Sequence, residues 1–592
     1  MDRVRKPLDV GSGRVCASFD PATAGWLSIG RTHPTAGFVE LNALPPFDER
    51  GRGDPTATRG HRGSMTDGVH AFLSVRIDGR VPVLEPDTDD PDVPRWTGDG
   101  VRAEAWAPED AAHVIQRWHL EDEPAELTLH LRGRLDRPAL AEITELDPPS
   151  PTGALTALAA EDSRVTLSAP ALPAVASVSC HGAPVSWRPV GDGFVGQATT
   201  RELEIAIALS AEPDVDAPGS AEPPPSASPQ PDRLSARALA YVRGCTALRF
   251  DDDERAILTD HRILPLSWTR DAYWQSLALL AADSRGDRER VADHLRWLWR
   301  RCERPDGRWV RSHHANGRRK DLAFQADQQL YPIIELADYW RLAAALPDGV
   351  SWPRTVAAAW SVIDDELDSG GGLLRSDENA ADDPVAAPFI GASQILAWYA
   401  AERLAEVSDA AGLQPPAGAL RASAASARAA FARHHVGENG RWAYATDGHG
   451  SRVDYHDAND LPVALTPLWG FCAADDPGWR ATMAFAFAPS NPAWVGGRRP
   501  GLGSAHTPGP WTLGDIQGWI VGRAAGRSAD AEAALRRLDD IAFGDGMLPE
   551  AYEADGEGRI RHWFAWPGAA LAALRLLDGQ GRLEATLGVR RR

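Results

Sequence analysis

The sequence predicts an α+β protein in two parts: a β-sandwich-like domain over residues 1–210 and an (α/α)6 barrel over residues 233–592, joined by a linker over 211–232. Three observations lead there. Short apolar/polar alternations fill the first part, apolar residues at spacings of three and four fill the second, and polar clusters precede every other helix of the second.

The runs "HAFLSVRI", "AELTLHLRG", "SRVTLS" and "RELEIAIALS" alternate with the period of a strand whose two faces meet different surroundings, and turn residues separate them. Such strands build a sandwich or a related sheet domain. The stretch "AEPDVDAPGSAEPPPSASPQPD" (211–232) is rich in Pro, Ser and Ala and almost devoid of bulky apolar residues, so it holds no core of its own. Beyond it alanine, leucine and arginine rise. The helical period predicts twelve helices, roughly 233–246, 271–283, 287–302, 326–344, 353–367, 388–406, 417–434, 459–472, 478–487, 511–525, 528–542 and 565–578. Twelve helices after a β domain fit a barrel in which outer and inner helices alternate.

The polar clusters sharpen that expectation. "WTRDAYWQ" (268–275), "FQADQQLYP" (324–332), "ENAADDPVAAP" (378–388), "DYHDANDLP" (454–462), "HTPGPWTLGDIQ" (506–517) and "LPEAYEADGEGRIRHWFAW" (548–566) each precede or open an even-numbered helix. None opens an odd-numbered one. Even helices line the inside of such a barrel, so the clusters converge on one mouth, whereas ordinary polar caps would be spread over both ends. The substrate-contact candidates outside the catalytic carboxylates include Trp268, Gln325, Asp460, His506, Trp511, Arg561, Trp563 and Trp566. One or two of these four tryptophans are expected to face the pocket, with the rest in the core.

Composition narrows the partner. A net charge of -21 repels phosphates, which argues against nucleic acid or an anionic membrane and leaves neutral substrates open. The 22 tryptophans are many for 592 residues, and indole faces stack on the apolar faces of sugar rings. Cys16, Cys180, Cys245, Cys302 and Cys472 are scattered with no CxxC pair, the pattern of reduced thiols in a cytoplasmic protein. No apolar run serves as a signal peptide or reaches about 18 residues for a membrane span.

The clusters supply carboxylates, tryptophans and arginines. The sequence has no GxSxG, no Cys/His nucleophile pair, no P-loop and no glycine fingerprint opening a helix in a dinucleotide-binding βαβ unit. His313, His314, His456, Asp457 and Asp460 are metal-ligand residue types, but neither HxH nor HExxH spacing joins them, so neither a metal nor a cofactor is expected. Carboxylates with aromatics fit glycoside hydrolysis. One acid protonates the leaving oxygen, and one carboxylate activates water or attacks the sugar. An inverting enzyme keeps the two carboxyl groups roughly 6.5–9.5 Å apart to admit the water. Different barrel loops reach that separation, and a single loop seldom does.

At this point a resemblance becomes specific. "GMLPEAYEADGEGRIRHWFAW" resembles the base-bearing segment of glycoside hydrolase family 125, the metal-independent exo-α-mannosidases, in which a Glu precedes an Arg-x-Trp-Phe-Ala-Trp run by about a dozen residues. It implies Glu550 as the general base. "WTRDAYWQ" is similar to the family's Trp-x-Arg-Asp helix start and implies Arg270 and Asp271 as substrate contacts. "FQADQQLYPIIELADYW" implies Asp327, and "HDANDLP" implies Asp457 and Asn459. "GGLLRSDENAADDPVAAPFIGASQ" is similar to the stretch with an Asp-Asp pair and the general acid, which implies Asp383 or Asp382, the former preferred. The resemblance runs as short matches over roughly 260–580 and leaves out the N-terminal domain. "LPEAY" is nearer to the glucoamylase-like family 15, which also joins a β-sandwich to an (α/α)6 barrel. The expectation is an inverting exo-glycosidase acting on a terminal α-linked hexose of an oligosaccharide, mannose before glucose. The rivals are a glucoamylase-like α-glucosidase, a non-catalytic glycan-binding protein and a phosphorolytic enzyme on a related scaffold.

Overall fold

The computed structural model describes residues 8–43, 71–87, 90, 93–109, 111–136, 156–161, 163–169, 172–212, 219–224, 232–246, 248–251, 253–261, 264–542, 547–556, 558–560 and 564–590. They fall into two compact units, 1–267 with 314–318 and 268–313 with 319–592.

The first unit is built of sheet. Among the described residues a nine-stranded and an eight-stranded sheet share one apolar cluster, to which Trp26, Ile29 and Leu129 come from the first sheet and Trp118, Val178 and Ile207 from the second. The four alternating runs form the strands Leu73–Ile77, Ala125–Leu131, Arg164–Ala169 and Glu202–Ser210. Register follows the buried faces: Leu127 stands opposite Ile77, and Val178 opposite Ile207. Gln116 is the polar tie between the sheets. Its Oε1 accepts the indole N–H groups of Trp26 (2.8 Å) and Trp118 (2.9 Å), so two large side chains are buried without orphaned donors. Helix α1 (Arg233–Cys245), capped by the Asp232 carboxylate on Ser235 N at 3.0 Å, packs on the strand Leu8–Gly11 and belongs to this unit. Of the expected linker, residues 213–218 and 225–231 lie outside the described residues.

The second unit holds the other eleven expected helices: α2 (Thr269–Ala282), α3 (Arg285–Arg296), α4 (Ala326–Ala343), α5 (Trp352–Ser369), α6 (Gly391–Ala411), α7 (Ala417–His434), α8 (Leu461–Trp469), α9 (Pro477–Ala486), α10 (Thr512–Ala524), α11 (Ser528–Ile541) and α12 (Trp566–Gly579). A short α13 (Leu583–Leu587), which the periodicity did not indicate, follows them. Helices α2, α4, α6, α8, α10 and α12 each contact the next, and α12 returns to α2, closing a ring. Burial explains who stands inside. Every residue of α2 from Thr269 to Ala281 is buried, and α12 is buried on nearly all sides. A helix buried on every side is enclosed by others. By contrast α11 buries only Ala531, Ala534, Leu538 and Ile541, and α7 one stripe from Ala417 to Phe431, so these cover the ring from one side.

Two inner helices carry a proline where a helix ordinarily tolerates none. Pro332 in α4 cannot donate to the carbonyl of Gln328, and Thr269 Oγ1 of α2 donates to that carbonyl instead, at 2.9 Å. Pro467 in α8 likewise frees the Val463 carbonyl, which accepts Trp479 Nε1 at 3.0 Å. Each proline thus creates an acceptor that welds the helix to a neighbour.

Buried titratable groups give the second unit a pH signature. Burial pushes Glu335 up from 4.5 to about 8, although Ser276 Oγ donates to it at 2.7 Å. Burial also lowers His435 and His456 from 6.5 to about 4. Glu335 stays protonated in the folded state while the unfolded chain ionises, so its contribution is full below pH 4.5 and is lost as pH rises to about 8. The histidines stay neutral while the unfolded chain takes protons, so their contribution is full above pH 6.5 and is lost as pH falls to about 4. Each group adds a slope of up to about 1.4 kcal/mol per pH unit within its window. Thermal unfolding of E335Q across pH 4–9 is expected to show a flatter decline on the alkaline side than the parent protein, with the acid side unchanged. No helix among the described residues is long and apolar enough to cross a membrane.

Candidate active site

The N-terminal ends of the ring helices carry the polar clusters, and hydrogen bonds join them into one network. Trp268 is the extended residue before α2, which places Arg270 and Asp271 in its first turn. Arg270 is buried, with Nη1 donating to Asp327 Oδ2 at 2.9 Å and to Gln325 Oε1 at 3.3 Å. Its Nη2 stands 3.6 Å from Asp382 Oδ1 and its Nε 3.5 Å from Asp271 Oδ1. Burial works against the guanidinium charge, but Asp327, Asp271 and Asp382 outweigh it and raise the pKa. Gln325, the residue before α4, connects two loops: its Nε2 donates to Asp382 Oδ1 at 2.6 Å and to Glu378 Oε2 at 3.0 Å.

The Asp-Asp pair sits on a turn built by Asn379. The Asn379 side-chain oxygen accepts the backbone N–H groups of Ala381 (2.9 Å) and Asp383 (3.0 Å), while its own backbone N–H donates to the Asp383 carbonyl at 2.9 Å. Asp382 takes a left-handed backbone, φ 65°, a conformation that aspartate tolerates better than most residues. The two neighbours therefore part. Asp382 turns to Arg270 and Gln325, whereas Asp383 Oδ1 pairs with His506 Nδ1 at 3.0 Å. Neither caps α6, which begins at Gly391. Asp383 Oδ2 is buried and makes no hydrogen bond among the described residues.

Before α8, Asp457 is fully engaged. Its Oδ2 accepts Tyr455 OH (2.7 Å) and Ser504 Oγ (2.8 Å), and its Oδ1 accepts the backbone and side-chain N–H groups of Asn459 (2.8 and 2.9 Å). Asp460 Oδ2 accepts Asp457 N at 2.8 Å. Burial raises both carboxyls, and the charge of Asp457 adds to the rise at Asp460. His456, adjacent to them, pairs through Nε2 with Gln517 Oε1 at 2.8 Å. Among the described residues no group of three or more His, Cys, Asp or Glu is arranged to hold a metal ion. Asp327, Tyr331, Asn379, Tyr444, Asn459 and Asp460 line an opening of about 370 Å³ between α4, α6 and α8.

Glu550, before α12, is 4% exposed, so it is not a solvated loop charge. Its backbone is fixed to the start of α10, where Thr512 N donates to the Glu550 carbonyl at 3.1 Å and Thr512 Oγ1 to the Pro549 carbonyl at 2.6 Å. On the other side Tyr552 N donates to the Pro510 carbonyl at 3.0 Å. Gly509 makes that seam possible. It has φ +105°, and a Cβ there would meet the Tyr552 carbonyl oxygen at 2.3 Å. Gly509→Ala is expected to push the Glu550 segment off α10, lowering the melting temperature by a few degrees and activity by about tenfold, both measurable on purified protein.

The tryptophans are mostly enclosed. Trp511 is 1% exposed, with its indole N–H on the Thr507 carbonyl at 3.1 Å, and Trp566 opens α12 at 5% exposure. Trp268 is 8% exposed, and its Nε1 makes no hydrogen bond among the described residues. Arg561 and Trp563 lie outside the described residues. Sequence reasoning passed over Asn379, Tyr444, Tyr455 and Arg311, whose guanidinium meets Asp321 (2.9 Å) and Glu378 (3.2 Å). Asn379 had a readable signal, an Asn placed shortly before an Asp-Asp-Pro run, where its side chain can accept the backbone N–H groups of a turn. Tyr444 had none, because it stands outside the polar clusters, on a short hairpin that leads into the one at 454–462.

Residues 360–576 match the family of metal-independent alpha-mannosidases, GH125. No curated protein matches the sequence. Among solved structures, a Streptococcus pneumoniae metal-independent alpha-mannosidase in a non-productive complex with alpha-1,6-mannobiose is 19% identical, with a TM-score of 0.50 over 58% of this chain and 93% of that one. A bacterial glucoamylase complexed with acarbose is 11% identical, with a TM-score of 0.62 over 99% of this chain and 95% of that one. The chain thus resembles family 125 over its C-terminal part, and its whole length, sheets followed by helices, has the glucoamylase-like fold.

Proposed function

We propose that this chain is an inverting exo-glycosidase that hydrolyses a terminal α-linked mannose from an oligosaccharide, with the ring of α2, α4, α6, α8, α10 and α12 as the inner layer of an (α/α)6 barrel. The observation that carries the reading is the placement of acidic side chains on loops entering different ring helices at the same end: Asp382 and Asp383 before α6, Asp457 and Asp460 at α8, Glu550 before α12. All of them fall inside the segment that matches the mannosidase family.

Glu550 is the general base and Asp383 the general acid. Both aspartates commit Oδ1, Asp382 to Gln325 and Arg270 and Asp383 to His506, so the choice of Asp383 as the acid rests on the family resemblance, and its Oδ2 is the oxygen left to carry the proton. Glu550 takes a proton from water as the water oxygen bonds to the anomeric carbon. Asp383 gives its proton to the departing glycosidic oxygen, which keeps the electron pair of the broken C–O bond. Arg270, Asp271, Asp327, Asp457, Asn459 and Asp460 surround the sugar. A second reading, an α-glucosidase on the same scaffold, draws on the glucoamylase likeness, which spans nearly the whole chain.

Proton NMR during hydrolysis of p-nitrophenyl α-mannoside, p-nitrophenyl α-glucoside and α-1,6-mannobiose tests these points together. The expected result is β-mannose as the first product and mannoside preferred over glucoside. The α-anomer first would overturn inversion, and glucoside preference would select the second reading.

A further inference from the structure

Asp383 has its own partner, and the partner is held as firmly as the acid. His506 Nδ1 lies 3.0 Å from Asp383 Oδ1. The His506 backbone N–H donates to Ser504 Oγ at 3.2 Å, and Ser504 Oγ donates in turn to Asp457 Oδ2 at 2.8 Å, which ties the loop to the entrance of α8. The imidazole also meets the buried Trp511 ring edge-on, at 6.4 Å between centroids and 70° between planes. The ring is thus placed from two sides, by the loop that fixes its backbone and by the indole before α10.

We propose that His506 is a positioning residue for the acid step, donating Nδ1–H to Asp383 Oδ1 so that the transferable proton resides on Oδ2. This deepens the hydrolase reading and rests on it. A carboxylic acid has two oxygens and one proton. An N–H on Oδ1 excludes the proton from that oxygen and leaves it on Oδ2, the oxygen without a partner among the described residues. When Oδ2 passes its proton to the leaving oxygen, the carboxylate left behind keeps the Nδ1–H bond, which strengthens as charge develops on the acceptor. His506 neither gains nor loses a proton in this step. It touches the acid and not the sugar, which differs from the substrate contact expected of it from sequence.

The role has a kinetic signature that mere structural support lacks. An acid matters when the leaving group is a poor one, such as a sugar alkoxide, and hardly at all for 2,4-dinitrophenolate, which departs without a proton. The experiment compares kcat/KM of His506→Ala, His506→Leu and His506→Asn on α-1,6-mannobiose and on 2,4-dinitrophenyl α-mannoside, with Asp383→Asn as reference. The Ala and Leu variants are expected to lose about 30- to 100-fold on mannobiose and less than about threefold on the dinitrophenyl substrate. Asn places an amide N–H near the position of Nδ1 and is expected to recover most of the mannobiose rate. Equal losses on both substrates, or no loss on mannobiose, would overturn the inference while leaving the hydrolase reading intact. A parent protein inactive on both substrates would remove the hydrolase reading, and this inference with it.

Discussion

Glu550→Gln is expected to lower kcat on α-mannosides by roughly 10³-fold, about 4 kcal/mol, with KM changed by less than about threefold. Gln keeps the volume and the hydrogen-bonding reach of Glu but cannot take a proton from water. The side chain is 4% exposed, and its backbone is sewn to α10 through Thr512 and Pro510, so the substitution is not expected to move the segment. A melting temperature within about two degrees of the parent would confirm that stability is not at issue. The chemistry supplies a second, sharper readout. In Glu550→Ala the space of the carboxylate is vacated, and azide, which is a nucleophile without deprotonation, takes the place of the activated water. Turnover should return with rising azide, and the product should be the mannosyl azide of inverted configuration. Parent-like turnover in Glu550→Gln would sink the assignment of the base, and an azide product of retained configuration would contradict inversion.

The fold was legible in the sequence to the extent that it was periodic. The helices are long, and their burial differs by ring: α7 and α11 bury one stripe, which a 3.6-residue pattern finds, whereas α2 and α12 are buried nearly all round and are marked more by their length and apolar content. The same reading missed α13, whose five residues are too few to show a period. It also placed α1 with the helices, whereas α1 packs on the strand Leu8–Gly11, because amphipathicity reports that a helix buries a face and not what covers it. In the site, residue types on separate loops were readable and pairings were not. Asp382 and Asp383 are neighbours in sequence, and only the left-handed backbone at Asp382 sends one toward Arg270 and the other toward His506. No pattern of residue types carries a dihedral angle. The clustered tryptophans illustrate the opposite limit: composition suggested sugar platforms, yet Trp511 spends its indole on the Thr507 carbonyl, a choice set by packing.

Arg403→Met is expected to destabilise the helical unit by about 3–5 kcal/mol, a larger effect on folding than that of Gly509→Ala or Glu550→Gln. Arg403 and Asp338 form an ion pair that is fully enclosed, at 0% and 1% side-chain exposure, and Tyr273 OH donates to the other Asp338 oxygen at 3.1 Å. Burial raises the Asp338 pKa against the pull of the guanidinium, which shows how much this carboxylate depends on its partner. Arg403 also closes the far side of the ring. Its Nη2 donates to the Thr586 carbonyl at 2.9 Å, while Arg341 Nη2 and Tyr399 OH hold the Ala585 and Leu587 carbonyls at 2.7 and 2.8 Å. Arg341 lies near the C-terminal end of α4, and Tyr399 and Arg403 lie in the middle of α6, so α13 is strapped to the ring helices away from the acidic loops at their N-terminal ends. Methionine fills much of the space but leaves Asp338 without a counter-charge, which is the costly half of dismantling a buried pair, while the Thr586 carbonyl keeps the Arg341 Nη1 donor at 3.1 Å. Urea unfolding of Arg403→Met, Asp338→Leu and the double variant separates the contributions. The double variant should be more stable than Arg403→Met, because replacing the stranded carboxylate removes the cost of burying it without a counter-charge. Strict additivity of the two single changes would mean that the ions do not interact, and would refute the pair as the source of the loss.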